Sequence, residues 1–141
     1  MAPNELLDLP ELNVWFFALL VNYPWEFLQV PWYQAMPEMP HWEGVKFCSW
    51  AAVGDGLLAV VAFWAVALFR SRGWLRRPTP GTTAGFTAIG LALTIAVEWL
   101  ATDVWGRWSY GAEMPTVPLL GTGLAPLLQW LVLPPLVVGI V

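Results

Sequence analysis

The sequence predicts an all-α protein, an integral membrane four-helix bundle with its N and C termini both cytoplasmic. Three observations predict it. Of 141 residues, 58% are hydrophobic and only 11% are charged. Mean hydropathy is +0.61. A soluble domain carries roughly 25% charged residues, so six basic and ten acidic side chains cannot cover a water-facing surface. Apolar stretches near the ~20 residues that a bilayer demands then recur along the whole chain, which reads as one polytopic domain over 1–141.

The first 11 residues read as an interfacial lead-in. Glu5, Asp8 and Glu11 precede the apolar stretch, and there is no basic n-region or cleavage site, so no signal peptide is expected. Asn4 is placed to cap a short turn. The first span covers about residues 12–33, the second 45–69, the third 84–105 and the fourth 117–141. In lipid each must satisfy its own backbone, so all four are expected to be helices. Pro24, Pro31, Pro134 and Pro135 predict a kink or an early helix end at each place. Pro78 and Pro80 separate helix two from helix three. Gly85, Gly90, Gly121 and Gly123 predict close approaches between helices.

Arg70, Arg72, Arg76 and Arg77 all fall between spans two and three. The positive-inside rule puts that loop in the cytoplasm. The connections at about 34–44 and 106–116 then lie outside. The composition also excludes functions. A net charge of −4 with six Lys and Arg leaves no footprint for nucleic acid. The single Cys48 excludes an internal disulfide framework. There is no G-x-S-x-G elbow, P-loop or H-E-x-x-H. Gly54-Asp55-Gly56 is too short for a metal loop.

Polar groups inside spans are expensive and point to function. Asn22, Glu26 and Gln29 share one face of the first span. Asp55 stands in the second, and Glu98, with Thr94 and Thr102 on its face, in the third. Gln129 stands in the fourth, two turns after Thr122. Counting inward at 1.5 Å per residue puts Glu26, Asp55 and Glu98 within ~10–15 Å of the outer interface. Asn22, Glu26, Gln29, Asp55, Glu98 and Gln129 are therefore expected to form a polar pocket opening outward. Either one or two of its acids carry a proton, or a cation completes the site. The alternative is hydrogen bonding from helix to helix.

His41, Arg107, Trp108 and Tyr110 are expected to form a lid over the outer end. Arg107 is spaced to pair with Asp103, or to stack on Trp105 or Trp108. Met36, Met39 and His41 carry donors suited to Cu(I), but docking of a Met-Pro loop onto the bundle mouth, with His41 and Trp42 as an interface anchor, is the stronger reading, and no metal is assigned.

Asn22-x-x-Trp25-Glu26-x-x-Gln29, Gly54-Asp55, Glu98, Gly106-Arg107-Trp108-Ser109-Tyr110, Met114-Pro115 and Gly121-x-Gly123-Leu124-x-Pro126-Leu127-Leu128-Gln129 together resemble a group of small four-span bacterial membrane proteins. The resemblance covers about residues 20–135 and implies that the intramembrane polar residues are the group's pattern. It brings no reaction with it. A looser likeness is to small membrane carotenoid cyclases, whose carboxylates act inside a helical bundle.

Eleven Trp and aromatic side chains around the helices favour an accessory or structural subunit of a larger bacterial inner-membrane complex. A photosynthetic reaction centre–light-harvesting or respiratory assembly is the expected kind. Its partners would be other integral membrane subunits and lipids, and a lipid, quinone, carotenoid or other pigment would sit at the bundle surface. The alternative is a membrane enzyme acting on a lipid or isoprenoid, with Glu26, Asp55 and Glu98 as candidate catalytic acids and bases.

Overall fold

A computed structural model describes residues 8–141. Asn4 and Glu5, the proposed turn cap and the first acid of the lead-in, lie outside the described residues. The described chain is all-helical. Helix α1 spans Pro10–Gln29, α2 His41–Phe69, α3 Pro80–Trp99 and α4 Leu124–Ile140. Short 3₁₀ turns cover Val30–Trp32 and Trp74–Arg76, and a π-helical turn at Leu100–Val104 extends α3. Two helical stretches, His41–Phe69 and Pro80–Val104, are long and apolar enough to cross a membrane, whereas α4, at 17 residues, is shorter.

Local chemistry explains the boundaries. Proline occupies the first turn of α1 and α3, where its missing N–H costs nothing. Thr79 and Thr82 close a reciprocal capping box at the start of α3. Pro24 does not end α1, and Pro134 and Pro135 do not end α4. The fourth helix begins at Leu124 and not near residue 117. Pro118 and the left-handed backbone of Leu119 (φ 72°) and Gly121 (φ 68°) turn the chain there. Thr116 and Gly123 then pair as an isolated bridge. Thr122 is therefore a buried loop residue, not part of the Gln129 helix.

The helices pack in a ring in the order α1, α2, α3, α4, with α1 against α2 the most extensive contact. At one end Arg72 donates two hydrogen bonds to Glu11, at 2.6 and 2.9 Å. This sets the start of α1 beside the Arg-bearing connection. Trp74 plugs the same end, stacked on Phe63 with ring centroids 5.7 Å apart, and donates to the Phe63 carbonyl at 3.3 Å. Val14, Phe86, Val137 and Val138 complete that apolar core.

At the opposite end the two remaining connections meet. Tyr33 and Tyr110 pair as a bridge, the Gln34 N–H donates to the Ser109 carbonyl, and the Gly111 N–H donates to the Trp32 carbonyl. Between the two ends, Gly56 lets Trp15 lie against α2. A methyl group on that glycine would stand 2.9 Å from Trp15 Cδ1.

Candidate functional site

The polar residues collect in the half of the bundle nearer the Tyr33–Tyr110 end. A cavity of about 430 Å³ opens there, with walls from all four helices. Glu26, Gln29, Asp55, Glu98 and Gln129 line it. Helical period explains the convergence. Asn22, Glu26 and Gln29 fall on one face of α1, and all three are buried. Thr94 and Glu98 lie one turn apart on α3 and are likewise buried.

The carboxyl groups occupy two different settings. Glu26 and Asp55 form one. The Gln129 amide nitrogen faces Asn22 Oδ1 at 2.7 Å, Asp55 Oδ2 at 2.9 Å and Glu26 Oε1 at 3.0 Å. A primary amide has two N–H bonds, so three acceptors compete for two protons. The Glu26 and Asp55 carboxyl groups thus converge on one amide nitrogen. Asn22 belongs to this cluster through Gln129, and its own amide nitrogen donates to the Ala18 carbonyl at 2.8 Å.

Glu98 forms the second setting. Tyr110 donates to its Oε2 at 2.5 Å, and the Trp108 indole at 3.4 Å. Tyr110 reaches it because the neighbouring position is glycine. A methyl group on Gly123 would stand 2.9 Å from Tyr110 Cε1 and 3.1 Å from Met114 Sδ. Burial, then the nearby Glu98 carboxyl, holds the Tyr110 phenol above its ordinary range.

Trp108 and Tyr110 thus cover Glu98, as a lid would. Arg107 borders the cavity mouth but pairs with neither Asp103 nor a neighbouring tryptophan. Among the described residues the ion pairs are Lys46–Glu43 and Arg72–Glu11, and the cation–π contact is Arg72 over Trp64. The reason is local. Residues 100–104 are π-helical and the chain reverses at Gly106 with φ 58°, so the four-residue helical spacing no longer brings 103 and 107 together. Asp103 instead accepts from the Thr102 hydroxyl at 3.0 Å.

His41 opens α2, exposed, and does not line the cavity. Met36 borders the cavity and packs on the Tyr33–Met114 cluster. Met39 closes a turn with Met36 through its backbone N–H. Among the described residues no group of three His, Cys, Asp or Glu side chains is placed to hold a metal.

Some contributors carry no motif. Trp130 is buried against Gly90, where a methyl group would stand 2.4 Å from Trp130 Cε3. Phe47, Trp50 and Leu58 wall the cavity on α2. The signal for Trp130 was its place beside Gln129 opposite a helical glycine. Gly85 and Gly121 are not close approaches. A methyl group on Gly85 would stand at an ordinary 3.9 Å from Val66 Cγ2, and Gly121 serves its left-handed turn. No protein-family model, curated protein or solved structure matches the chain.

Proposed function

We propose that this chain is a four-span bacterial inner-membrane enzyme that performs acid–base chemistry on an apolar lipid or isoprenoid substrate. The observation that carries the reading is the Glu26–Asp55 pair. Two carboxyl groups meet on the wall of a largely apolar cavity and share the amide of Gln129. One protonated and one ionised carboxyl, side by side, form an acid and a base in one place. The protonated member gives a proton to the substrate, and the ionised member takes one from a neighbouring atom. The proton count of the pair is then restored without a co-reactant. Aromatic and aliphatic walls exclude water and hold a chain. Glu98, held by Tyr110 and Trp108, lies at the covered end and orients the substrate's polar end.

The four-span reading rests on apolar side chains turned outward. Leu68 is 80% exposed and Phe69 84% exposed. The Arg connection at 70–77 faces the cytoplasm by the positive-inside rule, with the start of α1 and the end of α4 on the same side. The accessory-subunit reading draws on a different observation, the outward-facing Trp42, Trp99 and Trp105, which also suit the headgroup belt.

The test is a lipid extract of producing cells, analysed by mass spectrometry. Wild type is expected to change the profile of isoprenoid or lipid species. Glu26→Gln, Asp55→Asn and Gly54→Leu are expected to abolish the change at equal protein levels. Gly54 lines the cavity and a methyl group there meets nothing within 4 Å, so the backbone accepts a side chain at that position. An unchanged profile in every strain, with reproducible isolation in a larger complex, overturns the reading in favour of the accessory subunit.

A further inference from the structure

Two buried polar atoms on the cavity-lining residues have no partner. Gln29 is 5% exposed and its Oε1 accepts no hydrogen bond; Thr94 is 4% exposed and its Oγ1 makes none. Both residues line the same cavity. A buried polar group left unpaired costs about 1–3 kcal/mol, so each such group in a native fold needs an explanation.

The atom of Gln29 that lacks a partner is its carbonyl oxygen. A carbonyl oxygen only accepts, so whatever meets it must donate. Thr94 differs from its neighbour on the helix in the same respect. A helical threonine commonly returns its hydroxyl to the carbonyl one turn earlier, and Thr102 does so, to Glu98 at 2.8 Å. Thr94 does not, and its hydroxyl remains able to donate or to accept.

We infer that the cavity binds an apolar molecule bearing a hydroxyl group, with the Gln29 carbonyl accepting the ligand's O–H and the Thr94 hydroxyl serving as a second polar contact in the same cavity. A hydroxyl supplies a donor for Gln29 and lone pairs for Thr94. An ether or ester oxygen lacks the donor, and a carboxylate would place a negative charge against Glu26. The remaining wall, with Val30, Phe47, Leu58 and Val97, suits a hydrocarbon chain. The inference rests on the proposed function for the apolar character of the ligand, and adds the alcohol.

The experiment uses the full chain in lipid nanodiscs with farnesol and farnesyl methyl ether as probes. Retention is measured by mass spectrometry against protein-free nanodiscs. The ether keeps the chain and the oxygen but loses the donor. Wild type is expected to retain farnesol about fivefold or more over the ether, in keeping with one net hydrogen bond. Gln29→Leu is expected to bring the ratio near one while the ether is still retained, and Thr94→Val to lower it. An unchanged unfolding temperature checks that each variant folds. Equal retention of alcohol and ether by wild type, both lost in Gly54→Leu, overturns the inference and leaves the apolar cavity standing, with water on the two free atoms. Retention of neither probe above empty nanodiscs overturns the inference together with the apolar-substrate reading.

Discussion

Trp130 of α4 lies in a notch that only a glycine leaves open, at Gly90 of α3. A methyl group on Gly90 would stand 2.4 Å from Trp130 Cε3 and 2.7 Å from Cζ3. The same residue lines the cavity together with Asp55 and Gln129. Helix packing and site geometry are therefore one feature, because the depth to which Trp130 sinks also sets the cavity wall beside Gln129.

Gly90→Ala is accordingly expected to destabilise the fold by about 1–3 kcal/mol, the range for overpacking a close contact. It is also expected to weaken the site, because a displaced Trp130 shifts its neighbour Gln129. Thermal unfolding and ligand retention should fall together. A variant of full stability and full retention would show that the indole has room to retreat.

Gln129→Leu removes the one amide that faces Asn22, Glu26 and Asp55. Three acceptors, those of Asn22 and Glu26 buried and that of Asp55 partly so, then lose this donor. The expected cost is about 3 kcal/mol or more, read as a lowered unfolding midpoint. Asp55→Asn in the same background restores a donor beside Glu26, so the double variant should recover part of the loss. A double variant no more stable than Gln129→Leu alone would mean that the three acceptors do not act as one cluster.

Tyr110→Phe leaves Glu98 with the Trp108 indole alone. A loss of roughly 1.5–3 kcal/mol is expected for a hydrogen bond to an ionised partner, and less for a neutral one. The phenol is held above its ordinary value of 10.0 by burial and by the Glu98 carboxyl. A raised value in the fold means that its contribution is present below about pH 10 and lost as pH rises through the folded value. Alkaline unfolding should therefore begin near pH 10 in wild type and be shallower in Tyr110→Phe. Identical alkaline profiles would remove Tyr110 from that account.

Glu11 and Arg72 form an exposed ion pair that ties the start of α1 to the Arg connection. The Arg72 hydrogen bonds hold Glu11 below its ordinary 4.5. A lowered value means that the tie is present above about pH 4.5 and lost as pH falls through the folded value. Salt weakens it. Glu11→Gln should speed tryptic cleavage in the 70–77 connection, most visibly at low ionic strength. Equal cleavage rates at low salt would mean that Trp74, plugged against Phe63, holds the connection unaided.

Much of this protein could be read before any coordinates. The helices follow from hydropathy and from the need to satisfy the backbone locally. The shared face of Asn22, Glu26 and Gln29 follows from helical period, and the crowding of carboxyls in one half follows from counting residues inward. The fourth helix was less legible, because residues 117–123 are apolar enough to continue a span. The turn there is made by Pro118 and by positive φ at Leu119 and Gly121.

What only the tertiary structure decided is which side chains meet. Helices α2 and α4 are apolar around most of their circumference, so period alone does not say which face turns inward. The rotation of α4 is set by Trp130 entering the Gly90 notch, and that rotation aims Gln129 at acceptors from two other helices. The separation of Glu98 from the Glu26–Asp55 pair is likewise tertiary, since it depends on Tyr110 folding back over Gly123. The failure of Arg107 to find Asp103 has the same origin. Spacing along a chain predicts contact only while the helix lasts, and here it unwinds through a π turn before the arginine is reached. Composition and period determined the elements and their polar faces, because those are properties of one helix in its solvent. The hydrogen-bond partners were decided by packing, because they depend on how far and at what rotation one helix can approach another.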